Sequence, residues 1–422
     1  MGSRIGAIWR IEAARLVGAL LRLVRDVGLA EELAQDALLA ALERWPAEGV
    51  PDRPGAWLMT TARHRAIDRL RHERLHRQHE GALVQAIEAQ LRASQADPEA
   101  VDDNPVGDDL LRLMFIACHP LLSAEAQAAL TLRLLGGLST DEIARAFLVP
   151  EATIAQRIVR AKRTLGGAGP VFELPQGEAL TARLGAVLGV IYLIFNEGYA
   201  ATAGDHWTRP ALCDEALRLG RILAGLAATA PEVHGLVALM ELQASRLRAR
   251  TTADGAPILL LDQDRGRWDR LLIQRGLAAL ARAEALSARR GPYTVQAALA
   301  ACHARAATAA DTDWPGIVAL YDALLALNPS PVVALNRAVA VSMVDGPAAG
   351  LALVDDLGRN PALAGYHWLP SVRADLLMKL GRHREAGAEF ERAASPARNA
   401  REQALLHARA AACRGADSEA AG

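Results

Sequence analysis

Apolar residues recur at helical spacing along most of the chain. Between Ile8 and Leu23 they fall at Ile8, Ile11, Leu16, Ala19, Leu20 and Leu23, and Gly28 then supplies a break. A second helix is predicted from about Ala30 to Trp45, with Leu33, Ala37, Leu38, Ala41, Leu42 and Trp45 inward. Its other face carries Glu32, Gln35, Asp36 and Glu43, either a solvated surface or an acidic docking stripe for a basic partner. The stretch from Pro46 to Gly55, PAEGVPDRPG, is dense in turn formers and reads as a loop. A third helix, Ala56 to about Arg77, has Met59, Ala62, Ala66 and Leu70 as its core stripe and arginines at 63, 65, 69, 71, 74 and 77. Phosphate neutralisation is the use such a helix suits best.

The most informative pattern is LSTDEIARAFLVPEATIAQRIVRAKR, Leu138 to Arg163. Ser139 precedes Glu142 by three, the spacing of a reciprocal capping box. Ile143, Ala144 and Phe147 form one short apolar face, and Val149-Pro150 ends that helix because proline lacks an N–H and disfavours helical geometry before it. A second helix from about Glu151 turns Ile154, Ile158 and Ala161 inward and leaves Gln156, Arg157, Arg160, Lys162 and Arg163 elsewhere. This is the pattern of a helix-turn-helix whose cations meet DNA, and equally of a helical hairpin with a solvated basic face.

Composition extends the helical prediction to the whole chain. Of 422 residues, 51% are hydrophobic but only 4% aromatic, and Ala, Leu and Arg, all good helix formers, dominate. The expected fold class is all-α. The net charge of -1 conceals a segregation. Seven arginines between Arg53 and Arg77 face only Asp68 and Glu73, whereas Glu80 to Asp109 holds eight acids against Arg92. A basic block beside an acidic segment suits a nucleic-acid contact with an acidic tether. Cys118, Cys213, Cys302 and Cys413 form no CxxC pair, so neither a disulfide nor a metal centre is expected, and a cytoplasmic setting fits. Cys118-His119 and Cys302-His303 are adjacent helical residues that point apart, so packing explains them better than metal ligation. No signal peptide is recognised, and the apolar run Leu184 to Phe195 is too short to span a bilayer, so no membrane partner is expected.

Two of these stretches carry a resemblance. LAEELAQDALLAALERWP followed by PGAWLMTTARHRAIDRLRHER is similar to region two of the sigma-70 family, in its extracytoplasmic-function (ECF) branch. Trp57-Leu58, Ala62-Arg63 and Ala66-Ile67-Asp68-Arg69-Leu70 carry the likeness. HPLLSAEAQAALTLRLLGGLSTDEIARAFLVPEATIAQRIVRAKRTL resembles region four. Two motifs in the right order, about the right distance apart, are more specific than either alone. The resemblance implies a promoter-recognition subunit of bacterial RNA polymerase without catalytic residues or cofactor. The face with Glu32, Gln35 and Asp36 would dock on the clamp helices of the largest polymerase subunit, and region four would meet the flap of the second-largest. Asp52 and Arg53 would cradle a base flipped from the minus-ten element, and Arg63, Arg65, Arg69 and Arg71 would hold the strand. Trp57 is either core or a brace for the melted fork. Thr153, Gln156, Arg157, Arg160, Lys162 and Arg163 would read or grip the minus-thirty-five element. Ala155 departs from the family, which often has a basic residue there, and removes one expected phosphate contact.

The resemblance ends near residue 167, but the chain continues to Gly422. Gly166 to Pro170 reads as a linker. Asn196, Glu197 and Tyr199, following an apolar helix, are candidates for a regulatory pocket or a clamp, or simply for helix-end hydrogen bonding. Ile317, Gly350 and Ala386 recur at spacings of 33 and 36 residues, with Tyr321, Val354 and Phe390 four residues after each. That brackets the tetratricopeptide (TPR) repeat of about 34 residues, a unit whose stacks offer a protein or peptide a concave surface. The expected organisation is region two at 1–78, an acidic linker at 79–109, region four at 110–167, a helical regulatory domain at 170–300 and TPR-like repeats at 301–415. The alternative function is a one-component regulator, a helix-turn-helix with a TPR-like sensor, which has no use for a region-two segment.

Overall fold

The computed structural model describes residues 2–76, 105–147, 149–167 and 177–420. Most of the predicted acidic linker, the Ala168 to Pro170 part of the glycine linker, and the Arg71 side chain lie outside the described residues. The described chain is all-α, with no strand and two isolated bridges. It divides into two units, residues 1–191 and 192–422.

The first unit begins with α1 (Gly2–Val24), α2 (Val27–Glu48) and α3 (Pro54–His76), which pack on one another. The break after α1 is not at Gly28. Arg25 takes a positive φ of 51° and Asp26 caps α2 by accepting from the Leu29 N–H at 2.7 Å, so Gly28 lies inside the helix. α2 also runs through Pro46, predicted as loop, and ends at Gly49 with φ 89°. Leu42, predicted inward, is exposed, because adjacent Ala41 takes the buried position on the same side.

α4 (Pro105–Ala117), α5 (Ala124–Leu134), α6 (Thr140–Phe147) and α7 (Glu151–Gly167) form the second half of this unit. α4 starts inside the predicted linker, so Asp109 belongs to a helix rather than a tether, and α7 absorbs Gly166 and Gly167. The capping box of α6 is reciprocal: the Ser139 N–H donates to Glu142 at 2.8 Å and the Glu142 N–H to the Ser139 hydroxyl at 3.1 Å. α4 also packs on α1, where a Cβ added at Gly18 would sit 3.0 Å from the Asp109 carbonyl oxygen. A side chain at that position would press the two helices apart by a few tenths of an ångström.

α8 (Gly177–Tyr199) passes from the first unit into the second. Its Leu180–Tyr199 stretch is, among the described residues, the one helix long and apolar enough to cross a bilayer, longer than the Leu184 to Phe195 run suggested. Val187, Leu188, Val190, Ile191, Ile194 and Phe195 are nevertheless buried against protein.

In the second unit α9 (Pro210–Leu226) leads to α10 (Pro231–Ala244), which is buried along nearly its whole length and flanked by α11 (Arg270–Leu286) and α12 (Pro292–Arg305). Three helical pairs follow: α13 (Trp314–Leu327) with α14 (Pro331–Val344), α15 (Pro347–Leu357) with α16 (Trp368–Lys379), and α17 (His383–Ala394) with α18 (Ala400–Ala420). Gly350 lets α15 lie on α14, since a Cβ there would meet the Ser342 Cβ at 2.5 Å. Ile317, Val354, Ala386 and Phe390 are buried. The last pair returns to the start of the unit, the α8–α9 loop: buried Asn399 donates to the carbonyls of Ala201 at 3.1 Å and His206 at 2.8 Å, and the Ala400 N–H donates to the Gly204 carbonyl at 2.9 Å. Unit two is therefore a closed circuit of helices.

Candidate nucleic-acid and polymerase interface

α7 holds itself in place with Ile154, Ile158, Ala161 and Leu165, all buried. Its outward face is Gln156, Val159, Arg160 and Arg163, with Thr153 and Arg157 half-buried at its edge. Val159 is 54% exposed and was missed by sequence reasoning, because an apolar residue on an amphipathic helix is assigned to the core by default. On a groove-reading face a valine suits a thymine methyl as arginine and glutamine suit guanine and adenine. Arg157 lies near Glu125 at the start of α5. That carboxyl is held below its usual range first by a backbone N–H, then by the Ser123 hydroxyl, with Arg157 adding attraction. Lys162, predicted with the outward cations, is instead ion-paired with Glu31 of α2.

Asp52 and Arg53, in the loop before α3, are exposed; on α3 itself Arg69 is exposed and Arg63 and Arg65 are half-buried. Burial lowers the affinity of Arg63 for its proton, Arg22 lowers it further, and Asp109 partly offsets both. Arg65 meets Asp36 at 3.7 Å, so residues predicted for different partners touch each other. Both are near the surface, where such a pair contributes about 0–1 kcal/mol and yields readily. Trp57 packs edge-on against buried Trp45, ring centroids 5.4 Å apart at 65°, with one side left half-exposed.

α2 presents Glu32, Leu39, Leu42 and Glu43 outward, with Gln35 and Asp36 half-buried beside them. Leu39 and Leu42 are 55% and 41% exposed. Sequence periodicity placed only polar groups here, whereas the exposed stripe is acidic and apolar together.

The three residues at the end of α8 separate in role. Asn196 is exposed. Glu197 is buried and spent inside the protein, ion-paired with Arg209 and accepting from the Thr202 hydroxyl at 2.9 Å. It ties down the α8–α9 loop. Tyr199 accepts from Arg246 at 2.7 Å and carries the Arg250 guanidinium 3.6 Å over its ring.

Comparison with known proteins agrees with this geometry. Sigma-70 region 2 matches residues 9–76, sigma-70 region 4 matches residues 112–165, and a family of unknown function (DUF6596) matches residues 183–284. The chain is 46% identical over 392 residues to an uncharacterized protein of Rhizobium meliloti (strain 1021), covering 92% of this chain and 91% of that one. It is 32% identical over 160 residues to the ECF RNA polymerase sigma factor SigL of Mycobacterium tuberculosis (strain ATCC 25618 / H37Rv), covering 38% of this chain and 85% of SigL. With the probable ECF RNA polymerase sigma factor SigI of the same strain it shares 26% identity over 161 residues, about half (54%) of SigI. No solved structure matches. A region-two segment followed by region four sets the one-component regulator aside. The chain belongs to the extracytoplasmic-function branch of the sigma-70 family and is an RNA polymerase sigma factor with a long C-terminal extension.

Proposed function

We propose that the α2 stripe of Glu32, Gln35, Asp36, Leu39 and Leu42 docks on the clamp helices of the largest polymerase subunit, with region four meeting the flap. The loop residues Asp52 and Arg53 and the α3 residues Arg63, Arg65 and Arg69 then hold the separated minus-ten strand, and the outward face of α7 reads the minus-thirty-five duplex. Arg71 joins them by its place on α3 alone. Phosphodiester chemistry belongs to the polymerase. The chain acts in the cytoplasm, on the nucleoid when bound to core. The extension, with its helical pairs as TPR-like repeats, regulates this activity and offers a protein or peptide a docking surface.

The observation that carries the reading is the outward line of Gln156, Val159, Arg160 and Arg163 on a helix whose opposite side is fully committed to the core. Its test is run-off transcription with core polymerase on a promoter series. Arg160→Ala reduces discrimination at one minus-thirty-five position by about 1–3 kcal/mol. Unchanged promoter ranking after Arg160→Ala and Gln156→Ala together contradicts the assignment of α7. For the extension, truncation after about Gly169 leaves a core-binding unit with altered activity, and identical transcription from both forms refutes the regulatory role.

A further inference from the structure

Just past the C-terminal end of α10, guanidinium groups gather that no carboxylate meets. Arg246 and Arg250 stand on either side of the short turn Leu247–Ala249, and both reach Tyr199, the last residue of α8. Arg246 is 9% exposed; it bonds the Tyr199 hydroxyl and Gln243, and burial lowers its affinity for its proton, with Tyr199 offsetting part of the effect and Arg250 adding to it. Arg265 lies close by, sharing the Trp268 ring with Arg246, but it is fully spent: it donates to the carbonyls of His303 at 2.5 Å and Ala306 at 2.8 Å and to the Thr312 hydroxyl at 3.2 Å. Arg250 differs. Its guanidinium lies flat 3.6 Å over the Tyr199 ring and 5.9 Å from the ring centre of half-exposed Trp207, and its Nε is shut from solvent with no hydrogen-bond partner among the described residues.

Neighbouring acids are committed elsewhere. Glu197 is paired with Arg209, Glu241 with Arg221, and Asp254 accepts from the Thr252 hydroxyl at 2.6 Å. Among the described residues neither Arg246 nor Arg250 is ion-paired with an acid. Aromatic faces return less to a cation than the loss of its water takes, and like charges brought together repel. A guanidinium fork fixed against a ring, with no acid on its edge, matches the chemistry of an oxyanion.

We propose that Arg250 and Tyr199 form a binding site in the C-terminal extension for a small molecule bearing an oxyanion, a phosphate or a carboxylate. The Tyr199 ring holds the Arg250 guanidinium flat and leaves its edge, Nε included, to take two oxygens side by side. The Tyr199 hydroxyl already accepts from Arg246, and its own proton is there to donate to the same anion. Arg246 supplies positive charge from behind, and Trp207 walls the side formed by the α8–α9 loop. That loop is the one Asn399 fastens, so a bound anion joins the turn after α10 to the seam that closes the circuit. Arg250 is half-buried, which suits a small anion better than the backbone of a duplex.

The test uses the full chain without polymerase. Tryptophan emission is followed while inorganic phosphate or acetate is raised from about 0.1 to 10 mM, with ionic strength held constant by chloride. A saturable change with one of the two probes is expected, it identifies the anion class, and it vanishes in Trp207→Phe. Arg250→Gln weakens binding about tenfold or more, and Arg250→Lys, which keeps the charge without the fork, recovers only part of it. Tyr199→Phe, which keeps the ring, weakens it about threefold to tenfold. Arg398→Gln, an exposed cation of the α17–α18 loop, leaves it unchanged. The same probe raises the thermal midpoint of the unsubstituted chain and not that of Arg250→Gln, a comparison that holds even where the variant is less stable. No saturable response to either probe overturns the site, as does an equal response in Arg250→Gln. A response to duplex DNA as strong as to inorganic phosphate at equal phosphate concentration overturns the small-molecule assignment. Because polymerase is absent from every arm, each of these failures leaves the sigma reading standing.

Discussion

Gly235→Ala reverses the usual sign of a helical glycine substitution. In a helix interior alanine is favoured over glycine by about 0.8–1.0 kcal/mol, so the local expectation is stabilisation. A Cβ at Gly235 of α10, however, would lie 2.5 Å from the Thr294 hydroxyl, 2.8 Å from its backbone nitrogen and 3.0 Å from its Cα. Those atoms belong to the first turn of α12, which Glu232 caps from α10: the Tyr293 N–H donates to it at 2.7 Å and the Thr294 N–H at 3.1 Å. The backbone of α12 has no flexible end to give, so the helices must part. Overpacking costs about 1–3 kcal/mol, and loosening the cap costs about 1 more. After the propensity gain the net loss is about 1–3 kcal/mol. For a unit of this size that lowers the calorimetric midpoint by roughly 2–4 °C per kcal/mol. Gly225 of α9 is the control, since a Cβ there meets nothing within 4 Å; Gly225→Ala raises the midpoint by a degree or more. Scanning calorimetry of both variants at one scan rate decides it. A Gly235→Ala protein as stable as the parent refutes the claimed contact between α10 and α12.

Three further outcomes are expected. Burial, then repulsion from Arg246 and Arg265, push the His303 imidazole down to about 4, against about 6.5 unfolded; the unfolded chain binds more protons between those values, so up to about 3 kcal/mol is lost as pH falls from 6.5 to 4, and a pH series of urea midpoints shows a flatter slope in His303→Gln. Asn399→Ala leaves the Ala201 and His206 carbonyls without their donor and costs about 1–3 kcal/mol; hydrogen exchange reads it as faster exchange around Gly204, and unchanged protection there contradicts the closed circuit. Leu39→Ser with Leu42→Ser weakens core binding about tenfold at unchanged thermal midpoint, and unaltered affinity removes the apolar part of the docking stripe.

What the sequence made legible was local. Ser139 and Glu142 lie within one turn, and their capping box follows from spacing alone. The buried faces of α6 and α7 follow from period, because each helix is short and clearly two-sided. Leu42 failed the same test: Ala41 and Leu42 are both apolar neighbours, and only the arrival of α1 and α3 decides which one is covered. Asp26 rather than Gly28 ends the first loop because an N-cap outweighed a glycine that a helix tolerates. The longer-range ties had no signal in one sequence. Nothing near Glu31 announces Arg133 and Lys162 more than a hundred residues away, and nothing near Glu197 separates a buried tie to Arg209 from a pocket acid. Asp109 looked like part of an acidic tether because its neighbours are acidic, whereas it is buried against α1 and paired with Arg112 at 3.0 Å and Arg22 at 3.4 Å.

The central claim, that α2, α3 and α7 work together on one start site, is tested most directly by adding the full chain to core polymerase that lacks a sigma factor, on a library of bacterial promoters. The account predicts initiation at a discrete set of start sites sharing one minus-ten and one minus-thirty-five sequence. Absence of association with core, together with no start-site selection on any promoter, contradicts it.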